Sequence, residues 1–472
     1  MYWIKYSRRI LSIGILFVTP LLGANAQSYR AVEARKNATD TVWRSYTAKT
    51  LDRLPNFKFK KEPTLNSYGS WKTNRQEATG FFRVQQIDGR WWFIDPEGYP
   101  FIHKGVVAFS AGTSDVQKQA FQDLFGTKEN WAEKHIAFLK SYGFNGVGAW
   151  SDCDEIRQLE EPLVYTVIVS PMSRFKSEHR KALGGKYLHH GWQGYRFDLP
   201  MVFDPQFDQY VEESVASIVK YKDDKYLLGY FTDNELPWVN NALDRHLTLL
   251  AKDEYGYVAA KEWLEKRKNG FCGVEDITDE DRNEFLAYML ETYLQKVVKA
   301  IRKYDPNHLY LGCRFNQERE ELQNEAMFRV AGKYMDVISV NHYRKWEPVE
   351  SILRDWSEWS GRPFIITEWY TKGEDTPLPN RTGAGWNVKT QKDRGHFYQN
   401  FCIELMRCKN CIGWHWFKYQ DNDPEDLSTD ISNRDSNKGI VDSKYRSYTD
   451  LLDQMKILNS NVLNLIKWYD KQ

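Results

Sequence analysis

From about residue 100 onward, short apolar runs rich in β-branched residues alternate with longer amphipathic stretches, and no other feature limits the possible folds as much. Strands that alternate with helices belong to parallel sheets, because a parallel neighbour is reached only through a crossover connection. Eight runs qualify: 101–109, 145–150, 163–169, 226–231, 309–314, 336–341, 363–367 and 412–417. Helical patterns accompany them at about 116–124 and 130–142, 152–159, 207–220, 281–303, 320–332, 348–358 and 391–408, with a closing one at 446–465. Eight strands with eight helices predict an α/β fold, a (β/α)8 TIM barrel over residues 101–472. A doubly wound sheet would need a Gly-rich phosphate turn after its first strand, and residues 103–114 contain no GxGxxG.

Two connections are longer than a plain barrel needs. Residues 170–206 follow the third strand and contain Gly184, Gly185, His189, His190, Gly191, Trp192 and Tyr195. Residues 236–280 follow the fourth and hold a helical pattern near 257–267. Long loops of this kind build the functional face of a barrel and carry specificity. Ahead of the barrel, residues 27–100 form an N-terminal segment, and 81–101 alternates apolar and polar residues around Asp88-Gly89, a hairpin signal. That hairpin is expected to pack on the barrel.

The first 26 residues read as a signal peptide. Lys5, Arg8 and Arg9 precede an apolar run from Ile10 to about Gly23, and Ala24-Asn25-Ala26 supplies a small-x-small cleavage site before Gln27. The run falls short of the roughly 20 residues of a spanning helix, and no Cys follows it for a lipid anchor. The chain is therefore expected to be exported, periplasmic or secreted, with no stable membrane insertion after cleavage. Lys+Arg 65 against Asp+Glu 64 leaves a net charge of +1, which argues against a nucleic-acid partner. Aromatic residues make up 15%, more than a core alone obviously needs, so some rings are expected to face a ligand. Cys153, Cys272, Cys313, Cys402, Cys408 and Cys411 read as small core residues with one optional bridge; the lone CxxC at 408–411 has no second pair to complete a zinc site. Oligomeric state is not legible.

In a barrel the reactive groups stand at the carboxyl ends of strands. The fourth run ends Thr232-Asp233-Asn234-Glu235 and the seventh ends Ile366-Thr367-Glu368-Trp369. Two carboxyls facing each other across a barrel mouth are what glycosidic bond cleavage needs, and at roughly 5 Å they serve a double displacement that retains configuration. Repulsion from Glu368 and partial burial would keep the proton on Glu235. Each Glu taken alone reads equally as a strand-end charge; the pair points to catalysis. Strand six ends Asn341-His342-Tyr343, where Tyr343 could donate to Glu368. Trp414 and Trp416 share one face of strand eight, and one of them is a candidate sugar platform, the alternative being that both are core. Asn234, His342, Arg314, Trp150 and His103 complete the candidate binding residues.

At this point the residues resemble the retaining glycoside hydrolase clan of (β/α)8 barrels. More narrowly, FFRVQQIDGRWWFIDPEGYPF, LLGYFTDNELPW, YLGCRF and CIGWHWFKYQDND followed by NKGIVD resemble the agarase-like glycoside hydrolase family 50. The resemblance implies an enzyme that cuts β-galactosidic bonds in red-algal galactans of the agarose or porphyran type, with Glu235 as acid/base and Glu368 as nucleophile. The stretch Trp369-Tyr370-Thr371-Lys372-Gly373 departs from the family's usual pattern, and residues 27–100 leave no room for the large N-terminal domain of those agarases. A retaining glycosidase on another β-glycan and a non-catalytic carbohydrate-binding barrel remain alternative readings. No HxxxH, HxH, GxSxG or Walker pattern is present, so neither a metal centre nor a cofactor is expected. Asp421–Asp426 reads as a solvated acidic loop rather than a Ca²⁺ site, and Lys372, Arg381 and Lys389 as surface charges or contacts to an anionic sugar.

Overall fold

The computed structural model describes residues 29–187, 189–191, 193–270, 273–316, 323–431 and 433–471. The expected signal peptide, Trp192 and Cys272 lie outside the described residues. The centre is a nine-stranded parallel sheet in the order Leu309–Tyr310, Leu227–Thr232, Val164–Val169, Gly146–Val147, His103–Val106, Cys411–Trp416, Phe364–Glu368, Ile338–Asn341 and Phe315–Asn316. Every one of the eight expected runs supplies strand residues to it. The closed eight-stranded (β/α)8 barrel is nevertheless not what the structure holds. The fifth run yields one short strand, Leu309–Tyr310, and a second, Phe315–Asn316, begins just past its end; the two lie at opposite edges of the sheet and do not pair with each other. The cause is local: Gly312 and Arg314 take left-handed conformations (φ 86° and 53°), which interrupt an extended ladder.

Two smaller sheets stand apart from the large one. Arg83–Ile87 and Arg90–Ile94 form an antiparallel hairpin joined by Asp88 and Gly89, both at positive φ as a tight hairpin turn requires, and Pro100–Phe101 adds a third strand. The sequence gives no comparable warning of the second. Arg30–Arg35 and Arg44–Ala48 pair with each other, and the first of them also pairs with Trp386–Val388, which runs beside Thr371–Gly373. The N-terminal segment thus clamps the chain that follows Glu368. Arg35 reinforces the clamp with a hydrogen bond of 3.1 Å to Glu374.

The helices form where apolar residues recur every three or four positions. Asp279–Tyr304 buries Phe285, Leu286, Met289, Leu290, Tyr293, Leu294, Val297, Ala300 and Ile301 along one stripe. Thr278 and Asp281 close its start as a capping box, and Arg302 and Lys303 oppose the dipole at its end. The loop 170–206 contains the helix Pro171–Ala182, and 236–280 contains Ala242–Leu249 and Tyr255–Lys268. The expected closing helix is two, Thr449–Asn459 and Val462–Tyr469. No described helix is long and apolar enough to cross a membrane. Cys153, Cys313, Cys402, Cys408 and Cys411 are buried free thiols.

Gly229 marks the tightest approach in the strand that leads to Glu235. A Cβ built there would lie 2.3 Å from the Leu309 carbonyl oxygen, a backbone atom that cannot swing aside. Gly229→Ala is expected to lower the unfolding free energy by about 1–3 kcal/mol; urea denaturation that leaves stability unchanged would contradict this packing.

Candidate active site

Strands of a parallel sheet all release their chain at one edge, and that edge here is lined by residues in left-handed conformations. Ala108, Trp150, Asp233, Glu235 and Arg314 all have φ between 49° and 58°. Each follows an apolar strand whose burial holds the backbone in place, so the strain of a non-glycine residue at positive φ is tolerated and the side chain is re-aimed. A cavity of about 810 Å³ opens there, lined by Trp150, Gln193, Asn234, Glu235, Tyr343 and Glu368 among others.

The two glutamates are nearly buried, at 4% and 5% exposure, but stand in different surroundings. Glu235 Oε1 accepts from Asn341 Nδ2 at 2.8 Å, and its Oε2 lies 3.5 Å from Gln193 Nε2. Glu368 Oε1 accepts from the Arg314 guanidinium at 2.6 Å, and its Oε2 accepts from the Tyr343 hydroxyl. One carboxyl therefore faces neutral amides and the other a cation and a phenol. Asn341 joins the two strand ends: its amide nitrogen also reaches Asn234 Oδ1 at 3.1 Å, and its oxygen accepts from Thr367 at 2.7 Å. Backbone bonds tie the same ends together, from Glu235 N to Arg314 O at 3.1 Å and from His342 N to Glu368 O at 2.8 Å.

Beneath Glu235, Asp233 is fully enclosed and accepts from Met172 N, Ser173 N and the Tyr293 hydroxyl at 3.1, 2.9 and 2.8 Å. Burial outweighs those three donors and raises its carboxyl to about 6. It anchors the start of the helix Pro171–Ala182 and one turn of Asp279–Tyr304 to the strand end. Burial and the neighbouring Glu368 push the Tyr343 hydroxyl well above its ordinary value, so it donates rather than ionises.

The other residues singled out from sequence separate into two groups. Trp150 is 41% exposed at the cavity, and the Arg314 guanidinium lies 4.3 Å from its ring centroid. Arg314 is itself buried and reaches the cavity only through Trp150 and Glu368. Trp414 and Trp416 are placed in the core instead. Their indoles donate to the Tyr398 hydroxyl and the Lys438 carbonyl at 2.8 and 2.9 Å, and neither lines the cavity. The ring of His342 packs edge-on against Phe401, and burial lowers it to about 3. His103 is paired with His415 inside the sheet at 2.8 Å and is likewise lowered to about 3 by burial. Lys372 is buried and donates to the carbonyls of Asn380, Thr382 and Gly383. Arg381 lines the cavity, and Lys389 lies over Trp43. Asp421 is enclosed rather than solvated, accepting from Lys438 N, Gly439 N, Asn437 and Tyr448. Among the described residues no group of three or more His, Cys, Asp or Glu could hold a metal ion.

Sequence reasoning passed over Asn341, because a neutral amide carries no catalytic signature; its position at a strand end was the available signal. Gln193, Tyr370, Phe417 and Lys418 were also missed, and all line the cavity.

No family model matches the chain. The β-agarase B of Vibrio sp. (strain JT0107) is 23% identical over 496 residues, covering 85% of this chain and 50% of its own length. The chain thus spans about half the length of that curated relative. Among solved structures, BpGH50 is 31% identical with a TM-score of 0.81, covering 94% of this chain and 96% of that one. The agarase AgWH50C is 21% identical with a TM-score of 0.69, covering 86% and 67%, and shares the fold.

Asp233 makes stability depend on pH in a defined direction. Its folded value of about 6 lies above the ordinary 3.8, so the folded state binds the proton more tightly. The stability it contributes is fully present below about pH 4 and lost as pH rises through about 6. Asp233→Asn does not titrate, so wild type should lose stability relative to the variant by about 1 kcal/mol per pH unit over that window. A difference between the two that stays flat from pH 4 to 7 in urea denaturation would rule this out.

Proposed function

This chain belongs to glycoside hydrolase family 50, and we propose that it hydrolyses β-galactosidic bonds in agar-type galactans by a retaining double displacement. The observation that carries the reading is the contrast between the two carboxyls. Glu368 has both oxygens accepting, one from a guanidinium and one from a phenol, the pattern of an ionised nucleophile oriented for attack. Glu235 instead has neutral amides among its partners, Asn341 on Oε1 and Gln193 near Oε2, surroundings that suit a carboxyl carrying the proton for the departing glycosidic oxygen.

In the first step Glu368 attacks the anomeric carbon while Glu235 protonates the leaving oxygen. In the second, Glu235, now ionised, takes a proton from water, which attacks the same carbon and releases Glu368. The Tyr343 hydroxyl bond and the Arg314 pair hold the nucleophile against rotation throughout. Trp150 offers an indole face for a pyranose ring, its other side backed by the Arg314 guanidinium. The agarase names of the relatives support an agar-type substrate. The order of basic, apolar and small residues in 1–26 supports export of the chain before it acts.

The mature protein is incubated with agarose, porphyran, carrageenan and a β-glucan panel, and released oligosaccharides are sized. Galactan fragments are expected. Glu235→Gln should lower turnover by about 10²–10⁴-fold while the fold persists, and Glu368→Ala should remove most of the remainder. The first-formed product, read by proton NMR before mutarotation, should be the β-anomer. Release only from the β-glucans would sink the substrate assignment, and a first-formed α-anomer would sink the retaining mechanism.

Asn341 is a positioning residue in this scheme. Asn341→Ala is expected to reduce kcat more than it raises KM and to shift the alkaline limb of the pH profile, since it removes an amide that orients the Glu235 carboxyl. An unmoved profile would assign Asn341 to structure alone.

A further inference from the structure

Two lysines, Lys438 buried and Lys418 half-buried, stand near Glu368 and take no part in the mechanism above. Lys418 lines the cavity directly after the strand Cys411–Trp416. Lys438 lies behind the same wall, its ammonium 5.4 and 5.2 Å from the ring centroids of Tyr370 and Phe417, both of which line the cavity. The two backbones are joined, with Lys418 N donating to Lys438 O at 3.2 Å. Their side chains are joined too. Lys418 Nζ donates to Asn422 Oδ1 at 2.6 Å, Asn422 Nδ2 donates to Asn433 O at 3.1 Å, and Lys438 Nζ donates to Asn433 Oδ1.

Among the described residues, the side-chain partners of both ammonium groups are neutral amides. Asp421, the carboxylate that acts electrostatically on both lysines, has its oxygens occupied by two backbone amides, Asn437 and Tyr448. A buried ammonium without a carboxylate in direct contact is costly, and Asp421, joined by Glu368 for Lys438, acts on these two through space. Lys372 shows the contrast, since its ammonium is consumed by three carbonyls that hold the loop 380–383.

We propose that Lys418 and Lys438 form an anion subsite of the cavity, which receives a negatively charged substituent, a sulfate ester or a carboxylate, on a sugar unit bound next to the scissile bond. The inference rests on the galactan reading and narrows it to charged galactans. Lys418 makes the direct contact, and Lys438 stands behind the aromatic wall. Burial lowers Lys418 to about 8, which leaves it cationic at neutral pH, and burial beside Lys418 pushes Lys438 well below its ordinary value. Asp430 also lines the cavity, and the substituent must sit on the lysine side of it.

The test uses the full mature chain and matched oligosaccharides: a sulfated porphyran-derived galactan, its chemically desulfated form, and a carboxylate-bearing counterpart. For wild type, kcat/KM on a charged form should exceed that on the desulfated form by at least about tenfold, and the advantage should shrink as salt rises. Lys418→Met should collapse that ratio toward one, a comparison internal to each variant and therefore insensitive to partial loss of folded protein. The sulfated and carboxylated arms identify the substituent. Equal or better hydrolysis of the neutral form by wild type would overturn the subsite while leaving galactan cleavage intact. Calorimetry with the Glu235→Gln variant separates the two readings further: tighter binding of the charged form without hydrolysis of any galactan by wild type would uphold the subsite and defeat the reaction, and equal affinity would defeat the subsite.

Discussion

Parallel strands deliver their carboxyl ends to one edge of a sheet, and that single constraint brings together residues more than 130 positions apart in the chain. Glu235 leaves Leu227–Thr232 and Glu368 ends Phe364–Glu368, while the residue that bridges them, Asn341, ends the strand between Phe364–Glu368 and the sheet's edge. The pairing of Ile338–Asn341 with Phe364–Glu368 shifts register between Val340 and Asn341, so that Asn341 lies opposite Glu368. This one-residue irregularity lets one amide reach Thr367 with its oxygen and Glu235 with its nitrogen. Irregular pairing of this kind re-aims side chains at functional edges. Glu235 and Glu368 are thereby held by one hydrogen-bonded chain rather than by two independent strand ends.

The difference between the carboxyls has the same origin. Arg314 reaches Glu368 because the fifth run breaks at Gly312 and Arg314, turning the guanidinium inward beneath Trp150. A continuous strand there would have completed the ladder between the two edges, but it would have directed residue 314 differently and left Glu368 with Tyr343 alone. The sheet forgoes ladder hydrogen bonds at its margin and gains a buried, charge-assisted pair at the cavity.

The strands were legible because their apolar, β-branched runs are bounded by turn residues, and the long helices because their stripes repeat every three or four positions. Closure of the sheet was not legible, since a count of units says nothing about whether one run will be interrupted by two left-handed residues. The sheet formed by Arg30–Arg35, Arg44–Ala48, Thr371–Gly373 and Trp386–Val388 was also hidden, as two of its strands have three residues each and carry no period. At the site, Glu235 and Glu368 were found by their place at strand ends. Trp414 and Trp416 were correctly placed on one face, but period two cannot say whether that face meets the cavity or the helix Gln391–Arg407. The helix supplies the answer, because Tyr398 offers Trp414 a buried acceptor.

Aromatic excess and buried charge follow from the same geometry. Rings such as Trp369, stacked on Phe401 at 4.2 Å and set edge-on to Trp416 at 5.1 Å, form an apolar wall directly after Glu368. A wall of that kind excludes water, which strengthens every electrostatic contact on its cavity side. Arg394 borders it over the Trp416 ring and Lys438 through the carbonyl that accepts from the Trp416 indole, and burial lowers both, Arg394 to about 10. In such surroundings a cation does more than in water, whether it steadies Glu368 or receives an anion from outside. Lys438 is within electrostatic reach of Glu368, yet that carboxylate already has Arg314 in direct contact. The lysine pair therefore adds charge where the protein's own carboxylates are already satisfied, which is the arrangement expected where the missing partner belongs to the ligand.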